Sequence, residues 1–107
     1  MQPRQYRRFF YVYILASFTG TLYVGLTDDL RKRLNEHKLG IVEGFTKKYE
    51  VNRLMYFETL RDEKFAEARE KQIKKFRREK KIALFEKTNP EWKDLSETKG
   101  FLAPLGM

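Results

Sequence analysis

The segment 9–17 (FFYVYILAS) constrains the fold more than any other part of the chain. Aromatic and β-branched residues dominate it, and such residues favour strands. Apolar and polar residues hardly alternate, so we expect a strand that is covered on both faces. A turn at Phe18-Thr19-Gly20 and a second short strand at 21–26 (TLYVGL) complete a predicted hairpin. This hairpin has to lie inside a layered structure.

A first helix is predicted directly after the hairpin. Thr27 is a suitable N-cap, and Asp28 and Asp29 would then lie in the first turn, where the helix dipole favours negative charge. The helix is expected to run to about Leu39, because Gly40 is a natural C-terminal stop.

The remaining elements follow from composition. Residues 40–51 contain two Gly and two adjacent Lys and are expected to form a loop, and 53–59 (RLMYFET) is predicted as a third strand. Residues 62–87 contain neither Gly nor Pro, and we predict two packed helices with a break near 77–80. The order β-β-α-β-α-α predicts an α/β (α+β) fold in which a small three-stranded antiparallel sheet is flanked by helices.

Charge and composition limit the possible functions. The 107 residues carry 23 Lys and Arg against 15 Asp and Glu, a formal charge of +8, which suggests a polyanionic partner such as nucleic acid. The absence of Cys excludes a disulfide scaffold and a Cys-based zinc site. One His argues against a site with several histidines, so any metal should be a hard cation held by carboxylate and water, Mg²⁺ or Mn²⁺.

The chain is expected to be one cytoplasmic domain without a membrane span. Its longest apolar run, around 9–16, is far too short to cross a bilayer and lacks the composition of a signal peptide. We expect a flexible basic arm at 1–8, the folded domain at 9–95 and a loose C-terminal tail at 96–107. The oligomeric state is left open.

The hairpin brings two tyrosines together. Tyr13 and Tyr23 are equidistant from Phe18, so without a bulge they would lie roughly opposite each other on one face of the sheet. Gly25 would leave a depression beside the two phenols. The alternative is ordinary cross-strand packing of two aromatic side chains.

The first helix adds two further candidates. Arg33 and His37 are i,i+4 neighbours at the edge of the face that should pack on the sheet. The alternatives are a surface arginine whose stem packs on apolar groups and a partly buried histidine with a backbone partner.

The long helical region supplies a carboxylate and a basic run. Glu70 falls at the margin of an apolar stripe, where it faces either a cleft or its i,i+4 partner Lys74. Arg69 lies nearer the stripe centre and requires stem packing or an ion pair. Residues 69–81 hold eight basic and two acidic residues, which form either a solvated face or a phosphate-contacting surface. The candidate nucleic-acid contacts are Lys47, Lys48, Lys74, Lys75, Arg77 and Arg78.

These residues occur in a recognisable order. VYI at 12–14, YVG at 23–25, an Arg ten residues after the second Tyr, a His four residues later and a Glu within AREKQIK (68–74) together resemble the GIY-YIG endonuclease domain. The resemblance covers roughly 9–95 and is nearest to small stand-alone bacterial GIY-YIG proteins. The first motif lacks its Gly, and Leu26 stands where some members have Lys, a charge that Lys47 or Lys48 would have to replace.

The resemblance implies a metal-dependent nuclease whose catalytic residues are Tyr13, Tyr23, Arg33, His37 and Glu70. Glu70 would hold a single Mg²⁺ or Mn²⁺ ion, and Asn89 is a weaker match to an Asn near the site. Tyr13 is favoured as the base that activates water, with His37 relaying the proton, although the two tyrosines could exchange roles. This requires nearby cations to lower the pKa of a phenol from about 10.

Three functions remain open at this point. The first is a metal-dependent endonuclease of low sequence specificity that acts on nucleic acid, with DNA as the expected substrate. The second is a non-catalytic DNA- or RNA-binding module that retains the nuclease scaffold. The third is an interaction domain without nucleic acid.

Overall fold

The computed structural model describes residues 8–42, 44–98 and 100–102. Each helix in this part of the chain falls short of the length and apolar character that a membrane span requires. The predicted order of elements is confirmed, with two additional short helices. In chain order the elements are β1 (Phe10–Ala16), β2 (Leu22–Thr27), α1 (Leu30–Lys38), α2 (Phe45–Tyr49), β3 (Arg53–Leu60), α3 (Glu63–Lys75), α4 (Arg78–Glu86) and a 3-10 helix (Leu95–Glu97).

The three strands form an antiparallel sheet in the order β2-β1-β3. β1 is therefore the central strand, and nearly all of its side chains are buried. This confirms the expectation that the apolar run at 9–17 is covered on both faces. β2 and β3 are the edge strands of this sheet.

The two faces of the sheet carry separate apolar cores. Even-numbered β1 residues such as Val12 and Ile14 pack with residues of α3 and α4, including Ile73. Odd-numbered β1 residues such as Tyr13 pack with α1 through Leu34. This division follows from the alternation of side chains along a strand. Below, these two sides are called the α3 face and the α1 face.

The register of the hairpin differs from the predicted one by two residues. Tyr13 lies opposite Gly25, and Leu15 lies opposite Tyr23. The reason is a three-residue connection, 18–20, closed by the hydrogen bond from Ser17 N to Thr21 O at 2.9 Å. A shift by two residues keeps each side chain on its face, so the tyrosines still share the α1 face.

Local details of the helices also differ from expectation. Thr27 is not the N-cap of α1, because the Asp29 carboxylate takes that role and accepts from Lys32 N at 3.1 Å. The predicted loop at 40–51 contains α2, which ends at Glu50 in the left-handed region (φ 54°). The break between α3 and α4 comes at Phe76, whose extended backbone (ψ 145°) separates the two predicted helices slightly before 77–80.

The chain after α4 packs back on the domain as far as the structure describes it. Phe101 contacts Phe57 of β3 with ring centroids 5.7 Å apart, and Arg31 donates to the carbonyl oxygens of Phe101 and Leu102. Phe101 and Leu102, in the segment expected to be a loose tail, therefore contact the domain, and 103–107 lie outside the described residues. Of the expected basic arm, only Arg8 is described, and it pairs with Asp28.

Candidate active site

The β1–β2 hairpin brings Tyr13 into the interior of the α1 face. Tyr13 is 1% exposed, and its ring lies against Gly25 of the neighbouring strand. An added Cβ at Gly25 would lie 2.4 Å from both Cζ and the hydroxyl oxygen of Tyr13. The depression expected at Gly25 is therefore filled by Tyr13 itself. The ring of Tyr23, which is less buried, lies 6.3 Å from that of Tyr13, centroid to centroid.

α1 adds His37 to this pair of rings. The His37 ring centroid lies 6.1 Å from that of Tyr13 and 5.7 Å from that of Tyr23. Its Nε2 is 3.4 Å from the Tyr13 hydroxyl, and its Nδ1 is 3.1 Å from the hydroxyl of Thr46 in α2. His37 is 5% exposed, so both ring nitrogens meet protein groups in a buried environment.

Burial favours the uncharged forms of Tyr13 and His37. It raises the pKa of the Tyr13 phenol far above its ordinary value, and the nearby Tyr23 adds to this, while Arg33 opposes it without cancelling it. Burial also lowers the pKa of His37 to about 4, and Arg33 acts in the same direction. Arg33 thus acts on the pKa of Tyr13 in the expected direction, but in the protein by itself desolvation outweighs it.

Arg33 lies one turn before His37 on α1 and has a partly exposed guanidinium. It pairs with Glu36 at 3.2 Å, and its side chain keeps 40% of its exposure. A groove of about 360 Å³ passes Arg33 and Glu36. A larger groove of about 650 Å³ beside Phe18 has none of the five predicted catalytic residues in its lining, so we place no chemistry there.

Glu70 approaches the same region from α3. Its carboxylate pairs with Lys74 Nζ at 3.2 Å, as the i,i+4 spacing predicts, and its side chain is 20% exposed. The charge of Glu70 contributes to the raised pKa of Tyr13, so the two groups lie within electrostatic range although α3 covers the other face of the sheet. α3 contacts β2 as well as β1 and β3.

The donor groups near Glu70 suit a weakly held hard cation. Within the described ranges, no cluster of three or more His, Asp or Glu side chains comes together in a way that could hold a metal ion. A metal here would rely on one protein carboxylate, water and substrate oxygens, a donor set that is typical of Mg²⁺. A single carboxylate is compatible with such an ion.

The basic residues of 69–81 have different surroundings in the structure. Arg69 makes a bidentate ion pair with Glu58 of β3, with its NH2 group 2.7 Å from Oε2, which explains its position near the apolar stripe. Arg78 donates to the carbonyl oxygen of Gly20 at 2.6 Å. All six candidate nucleic-acid contacts are exposed: Lys47, Lys48, Lys74, Lys75, Arg77 and Arg78. They lie on α2 and around the α3–α4 break.

Asn89 serves the fold. It is 4% exposed, and its Nδ2 donates to the carbonyl oxygens of Met55 and Lys93 at 3.2 and 2.9 Å. Its Oδ1 accepts from Lys93 N at 3.0 Å. All polar atoms of this side chain thus tie β3 to the turn after α4, and we assign Asn89 no chemical role.

Thr46 is a site residue that the sequence interpretation missed. It was placed in a loop, yet it is 5% exposed and contacts His37 from a different element. A buried hydroxyl beside a buried imidazole depends on how the chain folds between 40 and 51. The available signal was weak: a Thr between an aromatic residue and two lysines in GFTKKY.

Comparison with known proteins agrees with this geometry. The model of the GIY-YIG catalytic domain matches residues 9–83. A UPF0213 protein of Syntrophus aciditrophicus is 40% identical over 82 residues, which are 76% of this chain and 93% of that protein. A UPF0213 protein of Clostridium perfringens is 38% identical over 74 residues, 69% of this chain and 80% of that protein.

A solved structure is also similar. The solution NMR structure of a UPF0213 protein from Bacillus halodurans has a TM-score of 0.53 and 25% sequence identity. The match covers 85% of this chain and 97% of that one. The hairpin with its two tyrosines, the order of the elements and these matches lead to one conclusion: the chain belongs to the GIY-YIG catalytic domain family, among small UPF0213 proteins.

Proposed function

We propose that this protein is a divalent-metal-dependent endonuclease that hydrolyses phosphodiester bonds in nucleic acid, with DNA as substrate and little sequence specificity. The supporting observation is the meeting of two tyrosines and one histidine beside β2, within electrostatic range of Arg33 and Glu70. Membership of a nuclease family supports the same reaction class.

Arg33 is the residue that we assign to the scissile phosphate. Its guanidinium is partly exposed beside a groove, so it can reach an oxygen of a bound polymer. A guanidinium donates two parallel hydrogen bonds to a phosphate and stabilises the negative charge that grows there in the transition state. Glu36, which pairs with Arg33, orients this group before substrate binds.

Glu70 is the residue that we assign to the metal ion. When bound, a divalent ion supplies positive charge to the phosphoryl oxygens and the leaving group. In the protein by itself the Glu70 carboxylate is paired with Lys74. If Glu70 coordinates the ion, Lys74 is released from this pair and can turn to a neighbouring phosphate.

The two tyrosines take different roles because their environments differ. Tyr23 is the less buried phenol, and we assign to it the contact with the attacking water. Tyr13 stays protonated because burial raises its pKa, and its O–H lies against His37 Nε2. We therefore assign Tyr13 a positioning role and not that of the base. This reverses the roles of Tyr13 and Tyr23 that the sequence favoured.

A cleavage assay with matched variants tests this function. Purified protein is incubated with labelled DNA and RNA in Mg²⁺, in Mn²⁺ and in excess chelator. Glu70→Gln and Arg33→Met are compared with Glu67→Gln and Lys64→Met, which change exposed residues of α3 outside the groove beside Arg33. We expect DNA cleavage that requires metal and falls by about 10²- to 10³-fold in the first two variants, with little change in the controls.

Several outcomes would contradict the proposal. Cleavage in chelator, or cleavage that persists in both Glu70→Gln and Arg33→Met, would point to a contaminant. Salt-sensitive binding without cleavage under any metal condition would support the non-catalytic binding module instead. Cleavage of RNA alone would overturn the choice of DNA.

A further inference from the structure

Aromatic side chains are exposed at the tip of the β1–β2 hairpin and on α2. Phe18, in the connection between the strands, is 89% exposed, and Phe45 and Tyr49 of α2 are 47% and 46% exposed. The rings of Phe45 and Tyr49 lie 4.9 Å apart, centroid to centroid. Phe18 and Tyr49 line one groove of about 350 Å³. A single exposed aromatic residue is ordinary on a protein surface, whereas several around one groove indicate a binding surface.

Both aromatic residues of this groove have a cation beside the ring. The Arg53 guanidinium lies 4.4 Å from the ring centroid of Phe18, and Lys48 Nζ lies 5.4 Å from that of Tyr49. Arg53 is held in place, because its NH2 group also donates to a backbone carbonyl oxygen at 2.8 Å. The acidic Glu50 lines the groove as well, in a chain whose formal charge is +8. Aromatic rings combined with cations are typical of surfaces that bind single-stranded nucleic acid.

The connection that carries Phe18 is held in one conformation. Ser17 N donates to Thr21 O at 2.9 Å, and Gly20 N donates to Ser17 O at 3.1 Å. Arg78 of α4 donates to the carbonyl oxygen of Gly20. The ring of Phe18 is therefore presented to solvent from a fixed turn, so binding to it requires little further ordering of the chain.

α2 joins this groove to the candidate active site. Thr46, whose hydroxyl lies 3.1 Å from His37 Nδ1, precedes Tyr49 by three residues on this helix. Three residues correspond to a rise of about 4.5 Å along a helix axis. A strand that contacts Tyr49 therefore lies close to the residues assigned to catalysis.

We propose that Phe18 and Tyr49 stack on unpaired bases of a single-stranded DNA segment, whose phosphates Lys48 contacts. In a duplex the bases are stacked on each other, and taking one out of the stack costs free energy, whereas an unpaired base offers its face to an aromatic ring. The choice of DNA rests on the proposed nuclease function. The inference adds the substrate class, which is DNA that contains an unpaired segment.

Binding is measured without cleavage, by the fluorescence anisotropy of a labelled single strand and of a blunt duplex of equal length in excess chelator. Phe18→Ala and Tyr49→Ala should each weaken binding of the single strand about 5- to 100-fold, the range expected for one lost stacking contact. Tyr49→Phe keeps the ring and should bind like wild type. Phe65→Ala, at a 69% exposed phenylalanine of α3, is the matched control and should change nothing. The duplex should bind more weakly than the single strand.

Salt dependence separates stacking from phosphate contacts. Loss of a stacking ring releases no counterion, so Phe18→Ala and Tyr49→Ala should keep the wild-type slope of log affinity against log salt concentration. Lys48→Gln should reduce the steepness of that slope by about 0.7, the value for one phosphate contact on a single strand.

Several results would overturn the inference. They are unchanged affinity for the single strand in both alanine variants, or a duplex that binds as tightly as the single strand. A dimer that Phe18→Ala dissociates without any change in DNA affinity would assign the surface to a second copy of the chain. Tighter binding of single-stranded RNA would overturn the choice of DNA.

The two proposals fail separately. The expected binding pattern without cleavage in any metal condition would refute the nuclease function and leave the stacking surface standing. Metal-dependent cleavage together with unaltered binding by Phe18→Ala and Tyr49→Ala would refute the stacking surface alone. Phe18 is almost fully exposed, so Phe18→Ala should fold, and its binding is informative even if Tyr49→Ala is unstable.

Discussion

Gly25 provides a sharp test of the packing at the hairpin. It has no left-handed backbone, so alanine could adopt its conformation without strain. The obstacle is Tyr13, because the new Cβ would lie 2.4 Å from its ring and hydroxyl, whereas ordinary contact begins at 3.4 Å. The ring of Tyr13 would have to move by about 1 Å inside a close-packed core. Overpacking of this kind costs about 1–3 kcal/mol.

A double-mutant cycle isolates this clash. Tyr13→Leu removes all three ring and hydroxyl atoms that the new Cβ would meet. In that background Gly25→Ala should be neutral or stabilise the fold by up to about 1 kcal/mol, because it restricts the unfolded chain. The sign of the Gly25→Ala effect should therefore reverse between the two backgrounds, and the coupling energy should reach about 2 kcal/mol or more.

Urea unfolding of the four proteins measures the cycle through the midpoint and slope of each transition. Gly40→Ala is the matched control, because its added Cβ meets nothing within 4 Å but its φ of +71° is strained for alanine. Gly40→Ala should lower the free energy of unfolding by the same amount in wild type and in Tyr13→Leu. If Gly25→Ala destabilises wild type and Tyr13→Leu equally, the close approach of Tyr13 does not explain the glycine.

Two further predictions concern charge. Burial lowers the pKa of His37 to about 4 from 6.5, so the unfolded state binds more protons than the folded state between these pH values, and the free energy of unfolding should fall by up to about 3 kcal/mol as the pH decreases from 6.5 to 4. In urea unfolding, His37→Gln should show a weaker dependence of stability on pH than wild type. An equal pH dependence in the two proteins would refute the buried neutral imidazole. Arg69→Met should cost about 1–2 kcal/mol at neutral pH, since it removes the bidentate partner of Glu58. Burial acts to raise the pKa of Glu58, but the hydrogen bonds from Arg69 and Tyr56 outweigh it, so the pKa is lowered overall. The loss of stability caused by Arg69→Met, measured by urea unfolding, should therefore shrink as pH falls through the carboxylate range. A loss that stays constant with pH would contradict the ion pair.

Local sequence patterns predicted the elements of the fold well. The unbroken apolar run of β1 indicated a strand covered on both faces, and β1 is buried in the structure. A long segment without Gly or Pro indicated two helices, and the stop at Gly40 agrees with a first helix that ends at Lys38. These features depend on near neighbours along the chain, which is why a sequence is informative about them.

The register of the hairpin was harder to predict from the sequence than its strands. It depends on how the turn closes, and Gly20 adopts a φ of +94° that shifts the centre of the connection to Thr19. An error of two residues preserved the face of Tyr13 but changed the partner of Gly25. The predicted depression thus became a close contact, although the residue types were identified correctly.

The chain by itself determined which chemical groups are present and in which order: two phenols, one guanidinium, one imidazole and one carboxylate at the spacing of the GIY-YIG family. Only the tertiary structure decided how deeply these groups are buried and what they touch. It buried Tyr13 and His37 together, where loss of hydration raises one pKa and lowers the other. It also brought Thr46 to His37 from a separate helix. Burial and contacts between elements arise from packing in three dimensions, which local sequence patterns do not encode.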